Sequence, residues 1–276
     1  MITTFRWRET MKQSVIVPLT SLFLVLSFCA HTVVADEAED RGLEIAKEAE
    51  AQSQGWSDLQ SSMKMVLRNR HGQESIRYMR ILTLENQDGG DKSMTIFDRP
   101  KDVKGTALLT HAHINKPDDQ WLYLPALKRV KRISSRNKSG PFMGSEFAYE
   151  DMGSQEIDKY TYRYLRDEPC GENWSCYVSE RFPRDRKSGY SRQVSWVDKE
   201  HYRIVRVDYY DRKKSLLKTL ELGDYRLYLE RFWRAHTLTM TNHQTEKSTT
   251  LEWEKYAFNV GLTDSDFTRQ VLKRAR

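Results

Sequence analysis

Two histidines spaced for one strand face, two adjacent carboxylates and a pair of cysteines are the residues in this sequence whose types and spacing could do chemistry. His111 and His113 are two apart, so on a strand they share a face and could hold a metal ion or act as a base. The same spacing also describes a solvated strand face. Glu150 and Asp151 have the composition of a catalytic carboxylate pair, but consecutive residues diverge in direction in a helix or a strand. Cys170 and Cys176 enclose Gly171, Glu172, Asn173, Trp174 and Ser175, a stretch suited to a turn. A bridge across so short a loop contributes on the order of 2 kcal/mol. A metal pair at these cysteines would need further ligands, and His201 and His236 are distant and sit in strand-like runs. The sequence contains no nucleophile elbow, phosphate loop, zinc signature or dinucleotide fingerprint. The expectation is a protein that is not an enzyme, with no catalytic residue, no cofactor and no metal.

The first residues bear on the compartment. Arg6, Arg8 and Lys12 precede an uncharged apolar run from Val15 to Ala30, the order of a signal peptide. The run is roughly 16 residues, short of the roughly 20 that cross a bilayer as a helix. Val33, Val34 and Ala35 supply small residues at the cleavage positions, so cleavage is expected after Ala35. The alternatives are an uncleaved anchor, against which Pro18 interrupts the run, and lipidation at Cys29, against which bulky Phe28 stands before the cysteine. In an exported chain Cys170 and Cys176 remain as an even pair and a disulfide between them is expected. Of the 276 residues, 241 follow Ala35, and the segment removed carries three cations and one acid, so the net charge falls from +6 to +4. A mildly basic remainder permits contact with anionic head groups or an acidic partner and makes no case for nucleic acid.

The elements that must position these residues are mostly strands. Asp36 to Gln54 reads as a helix, with Ala38, Leu43, Ile45, Ala46 and Ala49 at helical spacing and Gly55 as its end. Leu59, Ser61, Met63, Met65 and Leu67 then fall on one strand face, and period-two runs recur with polar turns between them, among them Asp88-Gly89-Gly90. The runs are Tyr78 to Leu84, Met94 to Phe97, Thr106 to Ile114, Trp121 to Leu124 and Arg129 to Ile133. After an irregular segment come Lys159 to Arg166, Cys176 to Phe182, Tyr190 to Val197, Tyr202 to Tyr209, Leu216 to Leu222, Phe232 to Met240 and Thr249 to Phe258. Thr263 to Asp266 opens a short final helix through Phe267 and Val271. With no repeat and no linker, residues 36 to 276 are expected to be one domain behind a signal peptide at 1 to 35. An antiparallel sheet of that many strands must curl or close. Two short helices are the lid material, leaving either a cavity or a packed core.

One segment stands out: Trp121 to Ile133, then Ser139-Gly140-Pro141-Phe142-Met143-Gly144-Ser145-Glu146-Phe147, then Tyr149-Glu150-Asp151-Met152-Gly153. These blocks, in this order, resemble the uncharacterised branch of the LolA-like family of outer-membrane lipoprotein-sorting proteins. The resemblance extends along nearly the whole mature chain, from the first helix to Asn259-Val260-Gly261-Leu262-Thr263-Asp264-Ser265-Asp266-Phe267. It implies a mainly β fold with a helical lid, a half-open, curved antiparallel β-barrel like that of LolA and LolB. It further implies a periplasmic carrier that binds a lipid or lipoprotein acyl chain for transfer toward the outer membrane, with an inner-membrane exporter of the resistance-nodulation-division (RND) type as a partner. The chain departs from the well-studied lipoprotein carrier in its Phe-Met-Gly loop and its basic strand, so its cargo could be another lipid. The alternative is an envelope module that senses a lipid or a partner without carrying it.

For a carrier, Met63, Met65, Met94 and Met143 are side chains that repack around variable cargo, and Trp121, Tyr123, Phe142 and Phe147 offer broad apolar area. Each could equally be ordinary core. Phe142 and Met143, between Gly140 and Gly144, are expected to gate the mouth of a cavity. A buried chain of about 14 carbons supplies about 11 kcal/mol gross, which needs no catalytic machinery. Lys128, Arg129, Lys131 and Arg132 are the expected contacts for a head group or a partner, unless they serve as a solubilising strand edge.

Overall fold

The computed structural model describes residues 26–276 apart from 87–89, 135, 155, 173 and 276, with side chains from residue 36 onward. Residues 1–25 of the expected signal peptide, together with Asp88 and Gly89, therefore lie outside the described residues. The chain divides into a unit ending at Glu37 and a unit from Ala38 to Arg276. Helix α1 is Leu26–Ser53.

The second unit holds thirteen strands: β1 (Asp58–Arg68), β2 (Glu74–Leu84), β3 (Lys92–Arg99), β4 (Ala107–His111), β5 (Asp119–Leu124), β6 (Arg129–Ile133), β7 (Tyr160–Pro169), β8 (Ser175–Pro183), β9 (Tyr190–Asp198), β10 (Ile204–Asp211), β11 (Leu216–Tyr228), β12 (Phe232–Asn242) and β13 (Lys247–Phe258). They form one antiparallel sheet in the order β6-β5-β4-β3-β2-β1-β13-β12-β11-β10-β9-β8-β7. Every neighbour but one is a hairpin partner; the exception is β1 against β13, with Met63 opposite Trp253 and Met65 opposite Leu251. That pairing joins two meanders into one curved sheet, whose edges, β6 and β7, do not pair. The barrel is open.

Alternation assigns the two faces. Leu108 and Leu122 join Met63, Met65, Met79 and Phe97 in one core cluster that also contains Val207, Leu220, Met240 and Leu251. A single cluster drawn from strands along both meanders requires the sheet to curve around it, so this is the concave side. Met94, Ile96, Ala107 and Leu109 point the other way and pack with Phe267 and Leu272 of the C-terminal turn and α2 (Arg269–Leu272). Thr268 Oγ1 caps that short helix by accepting from the Val271 N–H.

Between the free edges, the described residues of 134–159 form no named strand and run through three short 3₁₀ turns at Phe142–Gly144, Tyr149–Met152 and Ile157–Lys159. This segment plugs the concave side. Arg77 donates to the Met143 carbonyl at 2.5 Å, Gln120 to the Tyr149 carbonyl at 2.9 Å, and Lys218 to the Glu146 carbonyl at 2.8 Å. Its backbone groups are thus satisfied by side chains from both meanders, as burial of an irregular segment demands. Met143 and Gly144 take left-handed φ of 51° and 78°, a tight reversal that a glycine adopts at no steric cost. The Cys170–Cys176 disulfide closes the β7–β8 connection.

Candidate functional site

Over the part of α1 from Ala38 onward, Gly42, Ile45, Ala46 and Ala49 form one face at helical spacing, and Gly42 and Ile45 are buried. A Cβ at Gly42 would lie 2.7 Å from both the Arg163 carbonyl carbon and the Tyr164 nitrogen, so the helix rests directly on the backbone of edge strand β7. At its other end the helix is held by cations and a carboxylate. Arg231 donates to the Ala51 carbonyl at 3.5 Å and Arg234 to the Ser53 carbonyl at 3.3 Å, placing positive charge on the negative end of the helix dipole. Glu85 accepts from the Gly55 and Ser57 N–H groups at 2.7 and 2.9 Å and fixes the exit.

Beneath this helix is a cavity of about 750 Å³. Ile45, Ala46 and Ala49 line it from the helix, with Tyr162, Val197, Ile204 and Leu222 from the sheet and Trp233 and Leu227 at the β11–β12 end. Arg203, also in the wall, is held by Asp198 at 2.7 Å and lies over the Trp233 and Tyr225 rings at 4.7 and 5.2 Å. Arg181 donates to Gln193 Oε1 at 2.8 Å and covers the Tyr160 ring. The wall near Asn86 is acidic, with Glu50, Glu85, Asp91 and Glu156. Burial, reinforced by Glu156 and Glu85, pushes the Asp91 carboxyl up to about 6. Burial, then Glu156, Asp158 and Asp91, also raises Glu50. Burial raises Tyr162 to about 12 and Tyr225 further, so both hydroxyls stay neutral donors. A second cavity, of about 630 Å³, lies at the seam between the free edges, beside Ile133, Lys138, Tyr160 and Pro183.

The residues expected to bind cargo do not form one surface. Met63, Met65, Phe142 and Phe147 are in the concave core, and Met143 packs against it. Met94, with Trp121 and Tyr123 beside it, is on the convex face under the C-terminal segment. None of them lines the cavity under α1. Phe142 is 0% exposed, with its ring 5.7 Å from that of Phe97 and 5.6 Å from that of Tyr149. It anchors the plug, and the gate expected at Phe142 and Met143 is not where this cavity lies. Lys128, Arg129, Lys131 and Arg132 are all exposed next to Leu127, which is 67% exposed. Arg132 is paired with Asp119.

The candidate chemical groups have structural partners. His111 Nε2 meets the Phe267 carbonyl at 2.7 Å, and His113 meets Asp119 at 3.1 Å. Glu150 accepts from Ser188 Oγ and the Gly189 N–H, each at 2.8 Å. Asp151 is bound by Lys218 and Tyr190. Among the described residues no group of three or more His, Cys, Asp or Glu is placed to hold a metal ion. The sequence reading did not place a cavity under α1; the signal that could have found it is the face at Gly42, Ile45, Ala46 and Ala49, whose small residues mark where a lid can lie close to a sheet.

An open, curved antiparallel sheet with a helix across its concave side is the architecture of the LolA superfamily. A LolA superfamily protein from Nitrosomonas europaea superposes with a TM-score of 0.67 at 20% identity, covering 83% of this chain and 97% of that one. Closer in sequence is a domain from Vibrio parahaemolyticus described as that of an outer membrane lipoprotein-sorting protein: 55% identity, TM-score 0.83, 86% of this chain and 100% of that one. A DUF1329 family protein from Desulfovibrio piger matches at 30% identity and a TM-score of 0.80, over 85% of this chain and 99% of that one. A family model described only as an uncharacterized protein matches residues 89–274. No curated protein matches. The chain belongs to the same family as the lipoprotein-sorting protein domain and the DUF1329 protein, and it shares the fold of the LolA superfamily protein.

Proposed function

We propose that this protein is a periplasmic carrier that holds the acyl chain of a lipid or lipidated protein in the cavity beneath α1 and delivers it toward the outer membrane. The observation that supports this most is the cavity itself. Its volume of about 750 Å³ is within the usual range of small-molecule sites, roughly 300–1,000 Å³, and the walls at Ile45, Ala49, Val197, Ile204, Leu222 and Trp233 are apolar. The relatives described as lipoprotein-sorting and LolA-superfamily proteins support the same reading. In it, the plug closes one part of the concave side and the helix roofs the other. Export behind a peptide cleaved after Ala35 belongs to this proposal, and an RND-type exporter as a partner rests on the family resemblance alone. Lys128, Arg129 and Lys131 around the exposed Leu127 are proposed to meet anionic head groups or the partner.

The test fills the cavity from its roof. Ala46→Trp and Ala49→Trp should each abolish binding of a fluorescent fatty-acid probe while the thermal transition stays cooperative. Undiminished uptake by both folded variants would refute this location. Native mass spectrometry of the purified protein, with extraction of bound lipid, identifies the cargo.

A further inference from the structure

The charge of the cavity under α1 narrows the cargo, given the carrier reading above. Six acids and three arginines line it. Arg203 is paired with Asp198 at 2.7 Å, and Arg181 and Arg231 donate to neutral acceptors, Gln193 at 2.8 Å and the Ala51 carbonyl. Among the described residues no ion pair involves Glu50, Asp91 or Glu156. They reach the wall from three places, Glu50 from α1, Asp91 just ahead of β3 and Glu156 ahead of β7. The other charges acting on Glu50 and Asp91 are also acids, Asp158 on the first and Glu85 on the second. Their hydrogen bonds are few and neutral: Asp91 accepts the Asn86 N–H at 3.0 Å and Glu156 the Ser154 hydroxyl at 2.6 Å.

Partly buried carboxylates crowded in this way must either take up protons or meet a cation. An anionic head group entering the same cavity would add a further like charge, whereas an ammonium group would relieve the repulsion and let the acids ionise. The apolar volume beside them has room for a hydrocarbon chain. We propose that the cavity takes a single-chain amphiphile whose polar end is a protonated amine, seated against Glu50, Asp91 and Glu156, in preference to a chain of the same length that ends in a carboxylate or phosphate.

Dodecylamine, dodecanol and dodecanoate share one chain and differ in the charge of the polar end. At pH 7.5 and fixed ionic strength, dodecylamine should displace a bound fluorescent probe at about tenfold lower concentration than dodecanoate, with dodecanol between them. In the Glu50→Gln, Asp91→Asn, Glu156→Gln variant the amine and the acid should differ by no more than about twofold, with dodecanol unchanged. Dodecanoate binding as tightly as dodecylamine to the unmodified protein overturns the proposal, and so does a preference that survives neutralisation of the three acids. In both cases dodecanol still binds and the carrier reading stands. Failure of all three compounds to displace the probe overturns the cavity as a cargo site and this proposal with it.

Discussion

Lys218 Nζ lies 2.7 Å from Asp151 Oδ2 inside the concave core, with the two side chains 4% and 7% exposed. The ammonium also donates to the Glu146 carbonyl at 2.8 Å, and the carboxylate accepts the Tyr190 hydroxyl at 2.8 Å and the Ala148 N–H at 2.7 Å. A pair buried this deeply adds little net stability, because desolvation offsets most of the attraction. Its effect is positional: the plug is fixed against β11 and β9 by two groups that, among the described residues, have no other partner of opposite charge.

Lys218→Met leaves the Asp151 carboxylate buried without its cation and should cost about 3–5 kcal/mol of unfolding free energy in urea. Adding Asp151→Asn removes the stranded charge and keeps an oxygen for Ala148, so the double variant should recover about 1–2 kcal/mol of that loss. A double variant less stable than Lys218→Met alone would contradict this account of the pair.

Gly42 sets propensity against packing. In an isolated helix Gly42→Ala gains about 1 kcal/mol. In the protein the new Cβ would stand 2.7 Å from backbone atoms of Arg163 and Tyr164, neither of which is a flexible side chain. The variant should therefore lose stability, and amide exchange across residues 45–53 should speed up as the lid lifts from β7. A stabilised protein with unchanged exchange would mean that the helix shifts freely along the strand.

The strands were legible because alternation is local: Leu59, Ser61, Met63 and Met65 announce a strand face whatever lies opposite, and all thirteen strands correspond to expected runs. Boundaries slipped where tertiary contacts end a strand, as at β4, which stops at His111 and not at Ile114. The plug was not legible, since Arg77, Gln120, Asn242 and Lys218, which order it, are far from it in sequence. Met94, Trp121 and Tyr123 show a further limit. Alternation says which residues share a face, but which face is concave depends on Phe267 and Leu272 covering the other. The cavity's acidic wall escaped for the same reason, because Glu50, Asp91 and Glu156 meet only after the sheet has curved.

Asp91 predicts a stability profile. Its carboxyl is raised from an ordinary value of 3.8 to about 6 in the folded protein, so between those values the folded state holds the proton more tightly than the unfolded chain. The sign is that stability from this group is present at low pH and is lost as pH rises from about 4 through 6, by up to about 3 kcal/mol. Asp91→Asn keeps an acceptor for the Asn86 N–H and should be more stable than the unmodified protein at pH 7.5 and similar to it at pH 4. Parallel profiles from pH 4 to 7.5 in denaturant titrations would show that Asp91 does not titrate in this window.

The exposed tip at Leu127 makes a separate prediction about where the protein docks. Pro125–Leu127 is a single 3₁₀ turn closed by Lys128 in the left-handed conformation, and it carries Leu127 out to 67% exposure with Lys128, Arg129 and Lys131 around it. Arg132 is paired with Asp119 and Lys138 with Asp185 at 2.7 Å, so among the described residues of this segment the three cations nearest the leucine, with Arg136 further along, are left to meet an outside anion. An edge meant only to prevent strand pairing needs the charges but not an apolar side chain at its end. Near an anionic surface each basic residue contributes about 1 kcal/mol, screened within a Debye length of roughly 8–10 Å at 0.1–0.15 M salt. Lys128→Glu with Arg129→Glu and Lys131→Glu should therefore abolish sedimentation with phosphatidylglycerol vesicles, and Leu127→Ser should weaken it with less change in salt dependence. The thermal transition should stay near that of the unmodified protein, because none of these side chains is buried. Equal binding to anionic and zwitterionic vesicles, or unchanged binding by the charge-reversed variant, would leave the cluster as a solubilising edge on β6.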